Sequence, residues 1–373
     1  MEQLITKSLI KQGWLRATIG LVFIKGVLGN IIMKTKLTIK LIIICALSYI
    51  GCNEQYEKNN INEFPVLNGP YLGQKPPGMV PEIFAPGIVS DGLDNRDIAI
   101  MPDGSEIYFT SSVGGTEYVT ILYSRLSDGI WSKPEVVSFA TNPKFMFYEP
   151  CISSDGNRIF FTSNMPIKKG IAKSEPNIWY VERDGDHWGN PIALDTTVNS
   201  SFDEYFSSIT QDGTLYFTRG SGSGVYSIYR SKLVNGKYSE GEKLPKEVNC
   251  GTTQFNSFIA RDESYIILSI YGLAETIGGI DYYIIYRNED DTWGKPINLS
   301  DKINTEGNDE YSPYISPDGK YFFFMSKRSL TDELIPDKLS YDFLHEINNK
   351  PNNGNPDIYW VETKTITDLK PTN

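Results

Sequence analysis

A short phrase centred on an Asp-Gly pair occurs five times along this chain of 373 residues. An Asp-Gly pair between alternating apolar residues predicts a β-hairpin, so each copy indicates two antiparallel strands joined by a tight turn. In the fourth copy Glu263 replaces the glycine, which predicts a different turn there. The copies are spaced by roughly 50 to 60 residues, a period typical of repeat architectures. Their turn aspartates are Asp103, Asp155, Asp212, Asp262 and Asp318.

A second phrase follows each of the first four hairpins. It reads as a strand, a polar turn carrying an aromatic residue, a proline and another strand, as in LYSRLSDGIWSKPEVVS. Two hairpins per repeat make four antiparallel strands, which is the composition of a propeller blade. We expect the aromatic residue of each phrase to pack inside its own blade. These residues are Trp131, Trp188, Tyr238 and Trp293.

The fifth repeat lacks an outer strand, and a matching piece occurs at the start of the repeat region. Residues 85–90, APGIVS, match residues 295–300, KPINLS, in the fourth repeat. We therefore expect the N-terminal segment to close the ring as the outer strand of the last blade, which would leave no open sheet edge. The predicted fold is all-β: a single five-bladed propeller of four-stranded antiparallel blades.

These units resemble the TolB-type, WD-like propeller repeat of bacterial envelope proteins. The lead-in PYLGQKPPGMVPEIFAPGIVS resembles a group of secreted propeller lipoproteins from bacteria that consume algal and plant polysaccharides. The resemblance covers roughly Pro70 to Pro371. It implies a propeller fold and an envelope location, whereas function depends on the site that the fold carries.

The residues before the repeats carry a targeting signal. From Met33, basic residues precede an apolar run at 41–50 that ends in Gly51 and Cys52. This order indicates a secretory signal, and the cysteine makes it a lipoprotein signal; a plain membrane anchor is the alternative. A lipid on Cys52 would hold the protein at the outer membrane, facing the periplasm or the cell surface. The interpretation divides the chain into a mis-assigned upstream extension (1–32), a signal peptide (33–51), a tether (52–80) and the propeller (81–373).

Composition excludes one class of partner. A net charge of -11 argues against nucleic-acid binding, which needs a basic face. It also disfavours long-range attraction to a polyanion, although a local basic pocket remains compatible with it. We expect no cofactor, no metal and a monomer. Cys151 and Cys250 lie in different repeats, so we interpret them as separate buried thiols.

The inner strands of a propeller converge on a central channel, so the residues just before each hairpin should meet at one rim. Polar groups that converge in a concave site are typical of ligand sites. The alternative for each residue is structural, as a tyrosine that plugs the channel or a glutamate paired with an arginine. Seven places before the turn aspartates stand Arg96, Tyr148, Tyr205, Phe255 and Tyr311. Candidate binding residues near them are Glu149, Asn164, Glu204, Arg219, Glu310, Lys327 and Arg328.

A long segment at 327–356 follows the fifth hairpin, and segments of this length tend to be functional. It contains a predicted short helix at 341–347. His345 lies there, one of two histidines in the sequence, and is a candidate proton carrier. His187 lies in a lower turn beside Trp188, and we assign it no function.

Three classes of function use such a rim. In the first, a lyase or dehydratase acts on uronate-terminated oligosaccharides: Arg96, Arg219, Lys327 or Arg328 neutralises the carboxylate, and Tyr148, Tyr205, Tyr311 or His345 moves the proton. In the second, a glycoside hydrolase uses two of Glu149, Glu204 and Glu310. In the third, a non-catalytic module binds a glycan or an envelope protein.

The resemblance favours elimination, because the similar lipoproteins are associated with the breakdown of algal polysaccharides such as ulvan. Similar propellers include oligogalacturonate lyases, whose metal is held by several histidines. Two distant histidines cannot reproduce that arrangement. The sequence therefore predicts an anionic oligosaccharide as partner and a metal-independent dehydratase as first choice, with a binding module second.

Overall fold

The computed structural model describes residues 64–167, 175–306, 309–329 and 335–370. The upstream extension, the signal peptide and Cys52 lie outside these ranges. Within them the chain forms five four-stranded antiparallel blades in a propeller arrangement, which confirms the predicted fold class. No helix in the described ranges is both long and apolar enough to cross a membrane.

The first strand, β1 (Glu82–Ile83), belongs to the last blade. Blade 1 consists of β2 (Asp94–Ile100), β3 (Glu106–Val113), β4 (Tyr118–Ser127), a short β5 (Ile130–Trp131) and β6 (Glu135–Val136). Blade 2 consists of β7 (Phe147–Ile152), β8 (Arg158–Ser163), β9 (Asn177–Asp184), a short β10 (His187–Trp188) and β11 (Ile192–Ala193).

Blades 3 to 5 repeat this order from the channel outwards. Blade 3 consists of β12 (Glu204–Ile209), β13 (Leu215–Gly220), β14 (Tyr226–Ser231) and β17 (Glu242–Lys243), with a side hairpin of β15 (Leu233–Val234) and β16 (Lys237–Tyr238). Blade 4 consists of β18 (Thr253–Ile259), β19 (Tyr265–Tyr271), β20 (Ile280–Tyr286) and β21 (Ile297–Asn298). Blade 5 consists of β22 (Tyr314–Ile315), β23 (Tyr321–Ser326), β24 (Asp357–Glu362) and β1.

Short helices lie between the strands of the described residues. The helix α1 (Tyr341–Asn348) falls where the sequence predicts one, and α2 (Lys364–Thr367) follows the last strand. Single 3-10 turns occur at Tyr71–Gly73 and Ser138–Ala140.

All five hairpin turns have the same backbone, so the prediction of a different fourth turn is wrong. Glu263 adopts a left-handed φ of 58° and donates its N–H to the Ala260 carbonyl, as the four turn glycines do to their own partners. This conformation is unfavourable for a residue with a Cβ. The Glu263 carboxylate is held there by the Tyr216 hydroxyl and the Arg287 guanidinium.

The hydrophobic core is divided into five clusters, each between two adjacent blades. The second strand of a blade contributes to the clusters on both of its sides: Phe323 packs towards blade 1, while Phe322 and Phe324 pack towards blade 4. This explains the unbroken apolar runs in these strands. The repeat aromatics also pack between blades and not only within their own, since Trp188 contacts Tyr108 of blade 1.

The N-terminal segment closes blade 5, but in a different register from the predicted one. Glu82 and Ile83 pair with Trp360 and Tyr359, and Phe84 donates its N–H to Ile358. The predicted strand 85–90 is instead a turn, with hydrogen bonds from two of its amides to the Ala85 carbonyl.

The side chain at the end of this turn explains the error. The Ser90 hydroxyl accepts from the Ile358 amide and donates to its carbonyl. In blades 2 to 4 the side chains of Asn199, Asn249 and Asn304 bond the third strand in the same way. Residues 85–90 therefore correspond to the segment that follows an outer strand. The short match between APGIVS and KPINLS aligned them with the outer strand itself, which was wrong.

Residues 66–80, which the sequence assigned to the tether, also lie against the propeller. Leu72 is buried in the cluster between blades 5 and 1, and the Tyr71 ring packs on Tyr321 and Trp360. The Trp131 indole donates to the Gly69 carbonyl. The compact unit of the chain thus begins at Val66.

Candidate functional site

The mouth of the channel is formed by the residues seven places before the turns, and in blades 1 to 4 a β-bulge follows them in the inner strand. Five residues in left-handed conformation, none of them glycine, occupy this position: Asp97, Glu149, Phe206, Asn256 and Ser312. In blades 1 to 4 the register shifts at this residue, so two residues oppose one on the second strand. Strained conformations of this kind cluster at functional sites.

Hydroxyls from the neighbouring blade satisfy the amides that the bulges free. Thr110 accepts from the Glu149 N–H at 3.0 Å, and Thr218 accepts from the Asn256 N–H at 3.0 Å. The Phe206 N–H donates to the Glu149 carboxylate at 2.9 Å and to Thr162 at 3.3 Å. The repeated FT of the phrase was the sequence signal for these contacts, and sequence reasoning missed it.

Arg96 lies at the centre of the charged side of the mouth. Its guanidinium donates to Asp97 at 2.8 Å and lies 3.7 Å from Asp94. Its Cζ lies 5.5 Å from the ring centroid of Tyr148 and 6.0 Å from that of Tyr311, on the two neighbouring blades. Among the described residues no hydrogen-bond partner engages its Nη2, and 13% of the side chain is exposed.

An arc of aromatic rings completes the mouth. The Tyr311 ring lies 6.4 Å from that of Phe255, which lies 6.3 Å from that of Tyr226. Tyr226 in turn packs edge-on against Tyr205 at 5.4 Å. The side chains are half-buried. The structure therefore brings together the five residues that stand seven places before the turns, together with Tyr226 from a third strand.

Lys327 and Asp94 also carry charge at the mouth. The Lys327 ammonium lies 5.9 Å from the Tyr311 ring centroid. Asp94 is a quarter exposed, and burial raises the pKa of its carboxyl despite the nearby Arg96. Sequence reasoning missed Asp94 and Tyr226, because it did not consider the position nine places before the turn, which also holds Asp203 and Asp309, or the start of the third strand.

Burial keeps the tyrosines of the mouth protonated at neutral pH. It raises the pKa of Tyr311 to about 12 and the pKa values of Tyr148 and Tyr205 well above their usual range, with the Glu149 charge adding to the effect in the latter two. A phenol in this state donates protons and does not accept them. These tyrosines therefore suit the role of acid and not that of base.

Below the mouth, Asp97, Glu149, Phe206 and Ser312 line a narrow cavity of mixed polar and apolar character. It measures about 50 Å³ and reaches down to Cys151, Arg261 and Tyr314. Within it Ser312 donates to Asp97, and Asn256 lies 3.4 Å from Ser312. Burial raises the pKa of the Cys151 thiol to about 12, so it is no nucleophile at neutral pH. Cys151 and Cys250 are unpaired.

The carboxyl of Glu149 is the most perturbed acid of the channel. Burial, then the charge of Asp97, raises its pKa to about 8, against the opposing effect of Arg96. Between the usual value of 4.5 and about 8 the folded protein thus holds a proton that the unfolded chain has lost. Stability must fall as the pH rises through this window. Glu310, raised to about 7, acts in the same sense at lower pH.

We expect Glu149→Gln to weaken this pH dependence, since glutamine stays neutral and keeps an oxygen for Thr162 and the Phe206 amide. Urea unfolding midpoints at about pH 6 and about pH 8 would measure it. The wild-type midpoint should fall over this interval, and the fall should be smaller in the variant. Equal falls in both proteins would show that Glu149 is ionised in the folded state.

Two predicted binding residues lie inside blade 3. Glu204 is fully buried, bonded to Arg219 at 2.7 Å and to Ser200. Arg219 also donates to the Val198 carbonyl and lies over the Phe217 ring. This pair fastens the loop before the inner strand, as the structural alternative anticipated.

Three other predicted binding residues, Glu310, Arg328 and Asn164, are also hydrogen-bonded to neighbouring residues. Glu310 is fully buried and accepts from Thr305. Arg328 donates to the carbonyls of Lys302 and Ile303, and Asn164 accepts from the Met146 amide. The structure does not bring these side chains to the mouth.

His345 lies on α1, and its contacts among the described residues are with Tyr341 and Asn349 of the same segment. It is exposed, and its ring centroid lies 4.2 Å from that of Tyr341 on the same helix. The described part of the chain contains no group of three or more His, Cys, Asp or Glu placed to hold a metal ion.

Comparison with known proteins gives likeness in structure alone. Neither family models nor curated proteins match the sequence. TolB from Acinetobacter baumannii is 17% identical over 73% of this chain and 57% of its own, with a TM-score of 0.42. A putative TolB from Agrobacterium tumefaciens is 15% identical over 72% and 90%, with a TM-score of 0.41. GH43B of a Bacteroides ovatus xyloglucan locus is 14% identical over 80% and 54%, with a TM-score of 0.43.

The chain thus spans little more than half the length of the first and the third of these proteins. At such identities and TM-scores the likeness carries no argument about what this protein binds or catalyses.

Proposed function

We propose that the mouth binds the uronic-acid end of an anionic, ulvan-like oligosaccharide and catalyses β-elimination there. The observation that carries the proposal is the Arg96 guanidinium, flanked by the rings of Tyr148 and Tyr311. Its Nη2, which no described residue engages, can donate a charge-assisted hydrogen bond to a substrate carboxylate. Lys327, beside Tyr311, adds a second cation within the same mouth.

Elimination needs a base, an acid and charge stabilisation, and the mouth contains a residue for each role. The carboxylate of Asp94 takes the proton from the carbon next to the substrate carboxylate, and its raised pKa suits it to this role. The electron pair forms the carbon–carbon double bond as the bond to the leaving oxygen breaks. Tyr148 or Tyr311 protonates that oxygen, which leaves as water or as a sugar hydroxyl. Arg96 stabilises the negative charge that develops on the substrate carboxylate.

This assignment differs from the one expected from sequence, in which a tyrosine or His345 was the base. The raised pKa values of Tyr148, Tyr205 and Tyr311 argue against the role of base, and the phenols, which keep their protons at neutral pH, remain available as the acid. We assign His345 no role in it, since no contact among the described residues joins its side chain to Arg96 or to the rings of the mouth. No oxidant and no cofactor is needed, because the products differ from the substrate only by the group eliminated.

A second candidate function is glycan binding without catalysis. The observation that favours it is the charge balance of the mouth, where Arg96 is already paired with Asp97 and lies close to Asp94. A neutral sugar could stack on the aromatic arc under these conditions. The hydrolase alternative loses support, because two of its three carboxylates, Glu204 and Glu310, are engaged inside their blades.

Ultraviolet absorbance distinguishes the two functions. The purified protein is incubated with glucuronate-terminated oligosaccharides, and the formation of a double bond conjugated to the carboxylate is followed by absorbance. We expect the absorbance to rise, with a mass loss of one water or one sugar. Binding without absorbance change would favour the second function, and new reducing ends without absorbance would indicate hydrolysis.

A further inference from the structure

The two sides of the mouth differ in chemistry. Arg96 belongs to blade 1, and its guanidinium lies beside Tyr148 of blade 2 and Tyr311 of blade 5, the two adjacent blades. Blades 3 and 4 lie opposite blade 1 in a ring of five. They contribute Tyr205, Tyr226 and Phe255, whose rings contact one another.

The aromatic side is a half-exposed surface and not a closed core. Tyr205, Tyr226 and Phe255 are all partly accessible, and none belongs to the five core clusters. Tyr226 extends the surface outwards from the channel, because it begins the third strand and not the inner one. Its backbone is fixed by Thr253 and by Gln254 of blade 4.

We propose that this aromatic surface is a second sugar subsite, which takes a neutral pyranose linked to the uronate. Aromatic faces bind the apolar C–H face of a sugar ring, and no cation of the described residues lies over these three rings to bind a second acid. The inference rests on the proposed function, since Arg96 orients the first sugar. It names the substrate class: an oligosaccharide with a terminal uronate followed by a neutral residue.

The length dependence of binding tests this subsite. Titrations use Asp94→Asn protein, so that no elimination accompanies binding, with D-glucuronate and with a disaccharide of glucuronate and a neutral hexose. We expect the disaccharide to bind roughly tenfold more tightly than the monosaccharide. Tyr226→Ala and Phe255→Ala should each remove most of that gain and leave the affinity for D-glucuronate unchanged.

Two matched variants separate stacking from other effects. Tyr226→Phe keeps the ring and should keep the gain. Tyr271→Ala removes an exposed tyrosine, 49% accessible, at the end of the second strand of blade 4 and should change neither affinity. A gain that survives both Tyr226→Ala and Phe255→Ala would overturn the subsite. If neither sugar binds the parent protein, the proposed function itself is wrong, and the subsite with it.

Discussion

Arg96→Gln should lower the rate of elimination by roughly two to three orders of magnitude, the effect usual for one group that stabilises developing charge. Glutamine can still hydrogen-bond a carboxylate, but it cannot neutralise the second charge that forms when the neighbouring carbon loses its proton. The measurement is the rate of the absorbance increase at saturating and at low substrate.

The variant also has a cost in stability that must be separated from catalysis. Asp97 is almost fully buried and bonds Arg96 at 2.8 Å, so removing the cation leaves a buried carboxylate without its partner. Breaking one side of a buried pair typically costs about 3–5 kcal/mol. Arg96→Gln with Asp97→Asn removes both charges and should recover much of the stability while remaining inactive.

The double variant decides the role of Arg96. A folded double variant with the wild-type rate would exclude Arg96 from the mechanism. Lys320→Gln serves as a matched control for loss of a cation, because Lys320 is exposed in the turn of blade 5 and should leave both rate and stability unchanged.

Phe84→Ala should lower the free energy of unfolding by roughly 3–5 kcal/mol. Phe84 is fully buried, with its ring 5.1 Å from both Phe323 and Trp360. It follows β1, the one strand that the described part of the N-terminal segment adds to the sheet of blade 5. Its truncation would therefore weaken the contact that closes the ring. The loss is a large fraction of the stability typical of natural domains.

Urea unfolding measures this effect, with Val80→Ala as the matched control from the same segment. Val80 is 72% exposed, so its truncation should change the midpoint little. If Phe84→Ala unfolds at the wild-type midpoint, the ring does not depend on its N-terminal closure.

The fold was predictable because its signal is repeated. Five hairpins, four of them with an Asp-Gly turn, and four second phrases all predict the same ring of four-stranded blades, so no single copy had to be interpreted correctly. The register of the closing strand was not overdetermined. It depended on one six-residue match, and the motif that specifies it, the Asn or Ser that bonds the third strand, becomes visible only when the partners are known.

The candidate site, like the fold, was predictable only in part. Side chains alternate across a strand, so residues eight places before the turns, such as Glu204 and Glu310, face the preceding loop and not the mouth. The two-residue period of a strand would by itself have predicted that Glu204 and Glu310 do not face the mouth. Asp94 could have been found from the repeat, because Asp203 and Asp309 stand at the same place before their own turns. Tyr226 could not, because it reaches the mouth from the start of a third strand.

The sequence alone determined that five similar units form blades around a channel and that Arg96, Tyr148, Tyr205, Phe255 and Tyr311 stand at equivalent positions, because repetition and strand period are properties of order along the chain. Only the tertiary structure decided which groups pair, which are buried and which tyrosines stay protonated. Those properties depend on desolvation and on charges from other blades, such as the burial and the Asp97 charge that raise the pKa of Glu149.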